Sequence, residues 1–174
     1  PNITYLRSGE TIHTQRVILN DFDDLGIPDR RNISEIMNAG GQIYVEASRG
    51  CPWGHCTFCA IRDKSYGWRL FKMEQVAKNL LELEKYGLGD TEIHFTDEEF
   101  FGEDIFSMRR AGYLAEMLKK QGWHQPFLIV CRADSIYSPR DTDSQRKERA
   151  RILSDLVQVG LSRVFLGVES AGGV

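Results

Sequence analysis

The sequence predicts an α/β fold: a partial (βα) barrel of parallel strands with outer helices, about four βα units, preceded by a short hairpin and linker. Three observations carry this. Runs of β-forming residues recur near positions 43, 91, 127 and 163, at intervals of 48, 36 and 36 residues. Stretches with helical apolar periodicity fill the intervals. The run Phe127-Leu128-Ile129-Val130-Cys131 is almost continuously apolar, as expected of a parallel strand buried on both faces. Strands alternating with amphipathic helices make successive βα units and a parallel sheet.

Residues 3–7 and 11–14 flank Ser8-Gly9 and predict a hairpin. Asn20 to Asp29 is acidic, carries Pro28, and reads as a solvated linker rather than a metal site. Residues 1–40 are therefore a hairpin and linker segment leading into the barrel. Ile43-Tyr44-Val45-Glu46-Ala47 is the first barrel strand. Met73 to Tyr86 is a helix with Met73, Val76, Leu80 and Leu83 on one stripe, and Gly87 follows as its cap. Ile93-His94-Phe95-Thr96 is the second strand. Phe106 to Lys120 is a second helix, with Ala111, Leu114, Ala115 and Leu118 aligned and Gly122 beyond it. After the strand at 127–131, Gln145 to Val159 is a third helix through Ile152, Leu153, Leu156 and Val157, stopped by Gly160. Val164 to Val168 is a fourth strand. Residues 41–174 are expected to be the N-terminal part of a larger core, cut after the fourth strand, because a last strand without a covering helix is an unusual place for a domain to stop.

Composition narrows the function. The net charge of −3 and a pI near 5.8 leave no basic footprint, so general nucleic-acid binding is not expected. No apolar run is long enough to span a bilayer, and no secretory signal is visible, so no membrane partner is expected. Clustered free thiols without such a signal predict a cytoplasmic protein.

The cysteines point to chemistry. Cys51, Cys56 and Cys59 fall in one loop after the first strand, in the run Ser48-Arg49-Gly50-Cys51-Pro52-Trp53-Gly54-His55-Cys56-Thr57-Phe58-Cys59-Ala60. Three thiolates fit a 4Fe–4S cluster with one iron left free for a small molecule. They also fit a structural zinc with His55 as fourth ligand, which would make the chain an α/β binding or scaffold module. Spacing alone leaves both readings open. A disulfide framework would leave one cysteine unpaired. Further polar groups follow the other strands: Thr96-Asp97-Glu98-Glu99, Arg132-Ala133-Asp134 and Gly167-Val168-Glu169-Ser170. In parallel α/β folds, the carboxyl ends of the strands are where ligands bind. Adjacent strand residues point to opposite faces, so one of Glu98 and Glu99 can face a site there. Cys131, in an apolar strand, reads as a buried inert thiol, and Trp53 and Trp68 read as shields of the loop.

The cysteine run resembles the cluster loop of the radical S-adenosylmethionine (SAM) superfamily, whose three cysteines follow the first barrel strand with an aromatic before the last; Phe58 fills that position. The first gap here has four residues where the family has three. Thr96-Asp97-Glu98 stands where the family has a Gly-Gly-Glu element, and resembles instead a Phe-x-Asp-Asp-x-Phe variant of cobalamin-associated members. Residues 20–30 resemble the linker after a cobalamin-binding domain in that subgroup.

The resemblance covers residues 43–170 and implies a six-unit partial barrel. Its implied ligands are Cys51, Cys56 and Cys59 for the cluster, with Phe58, Thr96, Asp97, Glu98, Arg132 and Glu169 around SAM. The implied activity is reductive cleavage of SAM to a 5′-deoxyadenosyl radical that acts on a substrate the sequence does not name. An electron donor such as flavodoxin or ferredoxin, and cobalamin-dependent methyl transfer through an upstream domain, are implied for the full protein. The segment alone is expected to be inactive or weakly active.

Overall fold

The structure, a computed structural model, describes residues 3–15, 17–19, 21–22, 25–61 and 66–168. Strands β1 (Thr4–Arg7) and β2 (Glu10–His13) form the expected antiparallel hairpin around a two-residue turn at Ser8-Gly9. The hairpin is almost wholly exposed.

The linker is less solvated than its acidity predicts. Phe22 is buried, its ring stacked on Phe71 with centroids 4.4 Å apart. The guanidinium groups of Arg49 and Arg69 lie over it at 5.1 and 5.4 Å. A short helix α1 (Ile33–Asn38), not expected from the sequence, then leads to the sheet through its one buried residue, Ile33.

Four parallel strands make the main sheet: β3 (Ile43–Val45), β6 (Ile93–Phe95), β7 (Phe127–Arg132) and β8 (Leu161–Gly167), side by side in chain order. Between β3 and β6 lies a two-residue antiparallel ribbon, β4 (Ser48–Arg49) against β5 (Arg69–Leu70). The crossovers are α2 (Met73–Glu84), α3 (Ile105–Lys120), a single turn α4 (Ala133–Ile136), and α5 (Asp143–Gln158). Asp104 caps α3 by accepting the Ser107 N–H at 2.7 Å. Thr142 and Gln145 cap α5 reciprocally, which satisfies two of the amide groups a helix start leaves open.

Alternate strand residues, among them Ile43, Ile93, Phe127 and Ile129, are buried against Leu80, Leu114 and Ile152 of the long helices in one core. The opposite sheet face is open: Tyr44 and Phe165 are exposed. This corrects the two-faced burial expected of residues 127–131. Phe127, Ile129 and Cys131 are buried, whereas Leu128 and Val130 are half-covered, because helices pack on one side alone. Strand β8 starts at Leu161, earlier than expected, and beyond Leu161 its side chains are exposed. Val157, expected on the buried stripe of α5, points outward, since Arg149, Ile152 and Leu156 define the inner stripe. The α/β class and the parallel order are as the sequence predicts. Among the described residues, no helix is long and apolar enough to cross a membrane.

Candidate cofactor site at the cysteine loop

The loop carrying the cysteines leaves the carboxyl end of β3 and is clasped at its base by the β4–β5 ribbon, with Ser48 opposite Leu70 and Arg49 opposite Arg69. Gly50 (φ 88°) and Gly54 (φ 58°) adopt the left-handed conformation within it. Side chains with a Cβ are strained there, so glycine at these two positions lets the chain turn back on itself around Cys51. A Cys59 N–H to Cys56 carbonyl bond of 3.1 Å closes the last turn. All three loop thiols are free and half-buried. Phe58, at the turn between the last two, is 69% exposed.

Three carboxylates in succession behave differently because the alternation of β6 continues past its end, burying residues 97 and 99 and exposing 98. Asp97 is 1% exposed. One of its oxygens accepts the Ala47 N–H at 3.0 Å and the other the Ser48 hydroxyl at 2.5 Å. Burial pushes its carboxyl up to about 7, against the pull of those donors and of the Arg110 charge. Glu98 is exposed and accepts the Gly50 N–H at 3.0 Å, one residue before the first cysteine. Glu99 is buried and accepts the N–H groups of Phe101, Gly102 and Arg132 at 2.9, 3.2 and 2.7 Å, joining the end of β6 to the end of β7. Burial raises its pKa, and the backbone donors work against the rise.

These contacts sort the expected SAM-facing residues. Asp97 faces inward, and both of its oxygens are engaged within the protein. Thr96 is exposed and, with Glu46 and Arg49, lines a cavity of about 390 Å³ between the linker, β3 and α2. Arg132 reaches the cysteine loop. Its guanidinium lies 4.3 Å from the centre of the Trp53 ring and pairs with Asp134, while its Nη1 is buried without a hydrogen-bond partner. Glu169 lies outside the described residues.

The roles of two residues here were not legible in the sequence, and a third has a different role from the one expected. Ser48 is the partner of Asp97. Arg110, on α3, donates to the Ala47 carbonyl at 2.5 Å and the Phe100 carbonyl at 3.0 Å. Burial lowers its pKa to about 10, which leaves it charged at neutral pH. Trp53, read as a shield, is the platform for Arg132.

The same loop donors bear on both metal readings. A structural zinc gathers four ligands on one ion. Among the described residues, no three His, Cys, Asp or Glu side chains converge on a single-ion site. The His55 ring instead meets Trp53 edge-on at 5.4 Å. An iron–sulfur cube holds its thiolates at separate corners, farther apart than ligands of one ion. Three free thiols on one glycine-shaped loop, beside a guanidinium with an unused donor, fit that group. Cys131 does not join them: it is buried, and burial pushes its thiol up to about 12.

No family model matches the sequence. The chain is 32% identical over 97% of its length to 4′-phospho-dehydrooxetanocin synthase of Priestia megaterium, of which it covers 23%. It superposes on the cobalamin-dependent S-adenosylmethionine radical enzyme OxsB with aqua-cobalamin bound, at TM-score 0.81 and 30% identity, over 97% of this chain and 24% of that one. With aqua-cobalamin and S-adenosylmethionine bound, the same enzyme matches at TM-score 0.80 and 32% identity, over 96% of this chain and 24% of that one. The radical S-adenosylmethionine methyltransferase TsrM of Kitasatospora setae, with cobalamin and a [4Fe-4S] cluster bound, shares the fold at TM-score 0.59 and 19% identity, over 97% and 30% of the two chains. The chain thus spans about a quarter of the length of the relatives that it matches at 30% identity or more.

Proposed function

We infer from this kinship with the radical SAM superfamily, and with its cobalamin-associated subgroup, that the chain is the cluster- and SAM-binding part of a radical SAM enzyme. One observation carries the reading: three free thiols on the loop after the first parallel strand, with Arg132 stacked on that same loop and one guanidinium nitrogen unpartnered. Cys51, Cys56 and Cys59 would hold a 4Fe–4S cluster, and its fourth iron would take SAM. When bound, the two supply one-electron cleavage of SAM to a 5′-deoxyadenosyl radical.

The chain's own residues do the positioning. Arg132, fixed in direction by Trp53, offers its free Nη1 to the SAM carboxylate. Glu98 and Thr96, exposed at the end of β6, are available to the amino and ribose groups, with Glu169 after β8. Phe58 supplies an apolar surface at the loop tip for the adenine. Such positioning in a site shielded from water is the part of the chemistry that belongs to the protein rather than the cofactor. Cobalamin would be held by residues beyond this chain, as would the substrate. The electron would come from a donor such as flavodoxin or ferredoxin.

The test is SAM turnover. Full-length protein, reconstituted without oxygen and given dithionite and SAM, should release 5′-deoxyadenosine, detected by chromatography. A full cluster with no 5′-deoxyadenosine would overturn the assignment.

A further inference from the structure

We propose that Asp97 is a positioning residue for the cysteine loop: through Ser48 and the Ala47 amide it fixes the strand end from which the loop springs, so that the three thiols present themselves to one cluster. The proposal rests on the cluster reading above.

The base of the loop is held from outside it. Residues 47–50, the four ahead of Cys51, are each engaged. Asp97 accepts from the Ala47 N–H and the Ser48 hydroxyl. Arg110 donates to the Ala47 carbonyl. Glu46 pairs with Arg49 at 2.6 Å, and Glu98 accepts from the Gly50 N–H. Asp97 and Ser48 are both at least 98% buried, so their bond is made away from water. Hydrogen bonds to a carboxylate in such surroundings are strong and directional.

The returning end of the loop meets the same group of side chains. Arg110 lies over the Trp68 ring at 5.5 Å, immediately before β5, and β5 pairs with Ser48 and Arg49. One buried network therefore governs both ends of the span from Ser48 to Leu70. Asp97 is 1% exposed and each of its oxygens is bonded to the strand end, so its influence passes through the loop.

The experiment uses full-length protein reconstituted without oxygen. Iron and sulfide per chain, the EPR spectrum of the reduced cluster, and the rate of iron loss to a chelator are recorded for the parent, Asp97→Ala, Asp97→Asn, Ser48→Ala and Ile152→Ala. Asp97→Ala should lose iron about tenfold faster, the scale of leaving one buried hydrogen-bond donor unsatisfied, and should alter the EPR signal. Ser48→Ala should shift both in the same direction by less. Asp97→Asn should behave as the parent, because its amide accepts from Ala47 and donates to Ser48. Ile152→Ala opens a cavity in the helical layer, where Ile152 faces Gly112 of α3. It should lower the melting temperature and leave the cluster signals unchanged.

A folded Asp97→Ala with parental spectrum and iron loss would overturn the proposal. So would an Ile152→Ala that perturbs the cluster as much. If Asp97→Ala does not fold, Ser48→Ala against Ile152→Ala decides by the same criteria. A parent that takes up no iron would instead overturn the cluster reading, and this proposal with it.

Discussion

Replacing Asp97 by asparagine should change how the stability of the fold depends on pH. The carboxyl is pushed up from 3.8 to about 7 by burial. A group whose folded pKa is raised in this way stabilises the fold fully below its unfolded value, and that contribution is lost as pH rises through the folded value. The rise, at roughly 1.4 kcal/mol per pKa unit, corresponds to about 4 kcal/mol. This is a large share of the 5–15 kcal/mol, roughly, that holds a domain together. The asparagine side chain is the isostere of the protonated acid and does not ionise.

The free energy of unfolding of Asp97→Asn minus that of the parent should therefore move in the variant's favour by about 4 kcal/mol between pH 4 and pH 8, most of it before pH 7. Taking the difference removes the other titrations. Among them is Glu92, whose carboxyl the Arg163 guanidinium holds down at about 2, and whose stabilisation is lost instead as pH falls. Urea denaturation followed by tryptophan fluorescence at half-unit pH intervals gives both curves. If they run parallel within about 1 kcal/mol, Asp97 is already ionised in the fold, and the Arg110 charge outweighs burial.

Three further outcomes are expected. Iodoacetamide at pH 8 should modify Cys51, Cys56 and Cys59 of the folded, metal-free chain and spare Cys131, whose thiol is buried and pushed up to about 12; modification of Cys131 by mass spectrometry before unfolding would contradict its inertness. Arg132→Lys keeps the charge but loses the guanidinium over the Trp53 ring and its second terminal nitrogen. SAM affinity of the reconstituted full-length protein should then fall about tenfold, and an unchanged Kd would remove Arg132 from the site. Phe22→Ala should destabilise the chain by about 3–5 kcal/mol, as loss of a buried Phe does; a loss under about 1 kcal/mol would show that the linker is not docked on Phe71.

The sequence carried the long-range plan of the fold better than its local joints. Helices with clear stripes, Met73–Glu84 and Ile105–Lys120, appear within one or two residues of their expected bounds. The β4–β5 ribbon was not legible, because two-residue strands have no alternation to read. The start of α5 was legible in principle: Thr142 followed by Gln145 is a capping-box signature, and it places the helix two residues earlier than its apolar stripe does. At the site, alternation separates Glu98, which meets the loop, from Glu99, which is buried. The same alternation applied to Asp97 would have turned it inward with Glu99. Arg110 offered no signal, since an arginine on an amphipathic helix ordinarily faces water, and its partners are backbone carbonyls 10 and 63 residues away in sequence.

The central claim is that three thiols hold one iron–sulfur cluster, and iron and sulfide analysis tests it most directly. After reconstitution without oxygen, the full-length protein should bind, through Cys51, Cys56 and Cys59, one cluster of about four irons and four sulfides. That cluster should absorb near 400 nm, bleach with dithionite, persist in Cys131→Ala and vanish when any loop cysteine becomes Ala. Stoichiometric zinc in a colourless protein, or iron that is indifferent to all three loop cysteines, would contradict it.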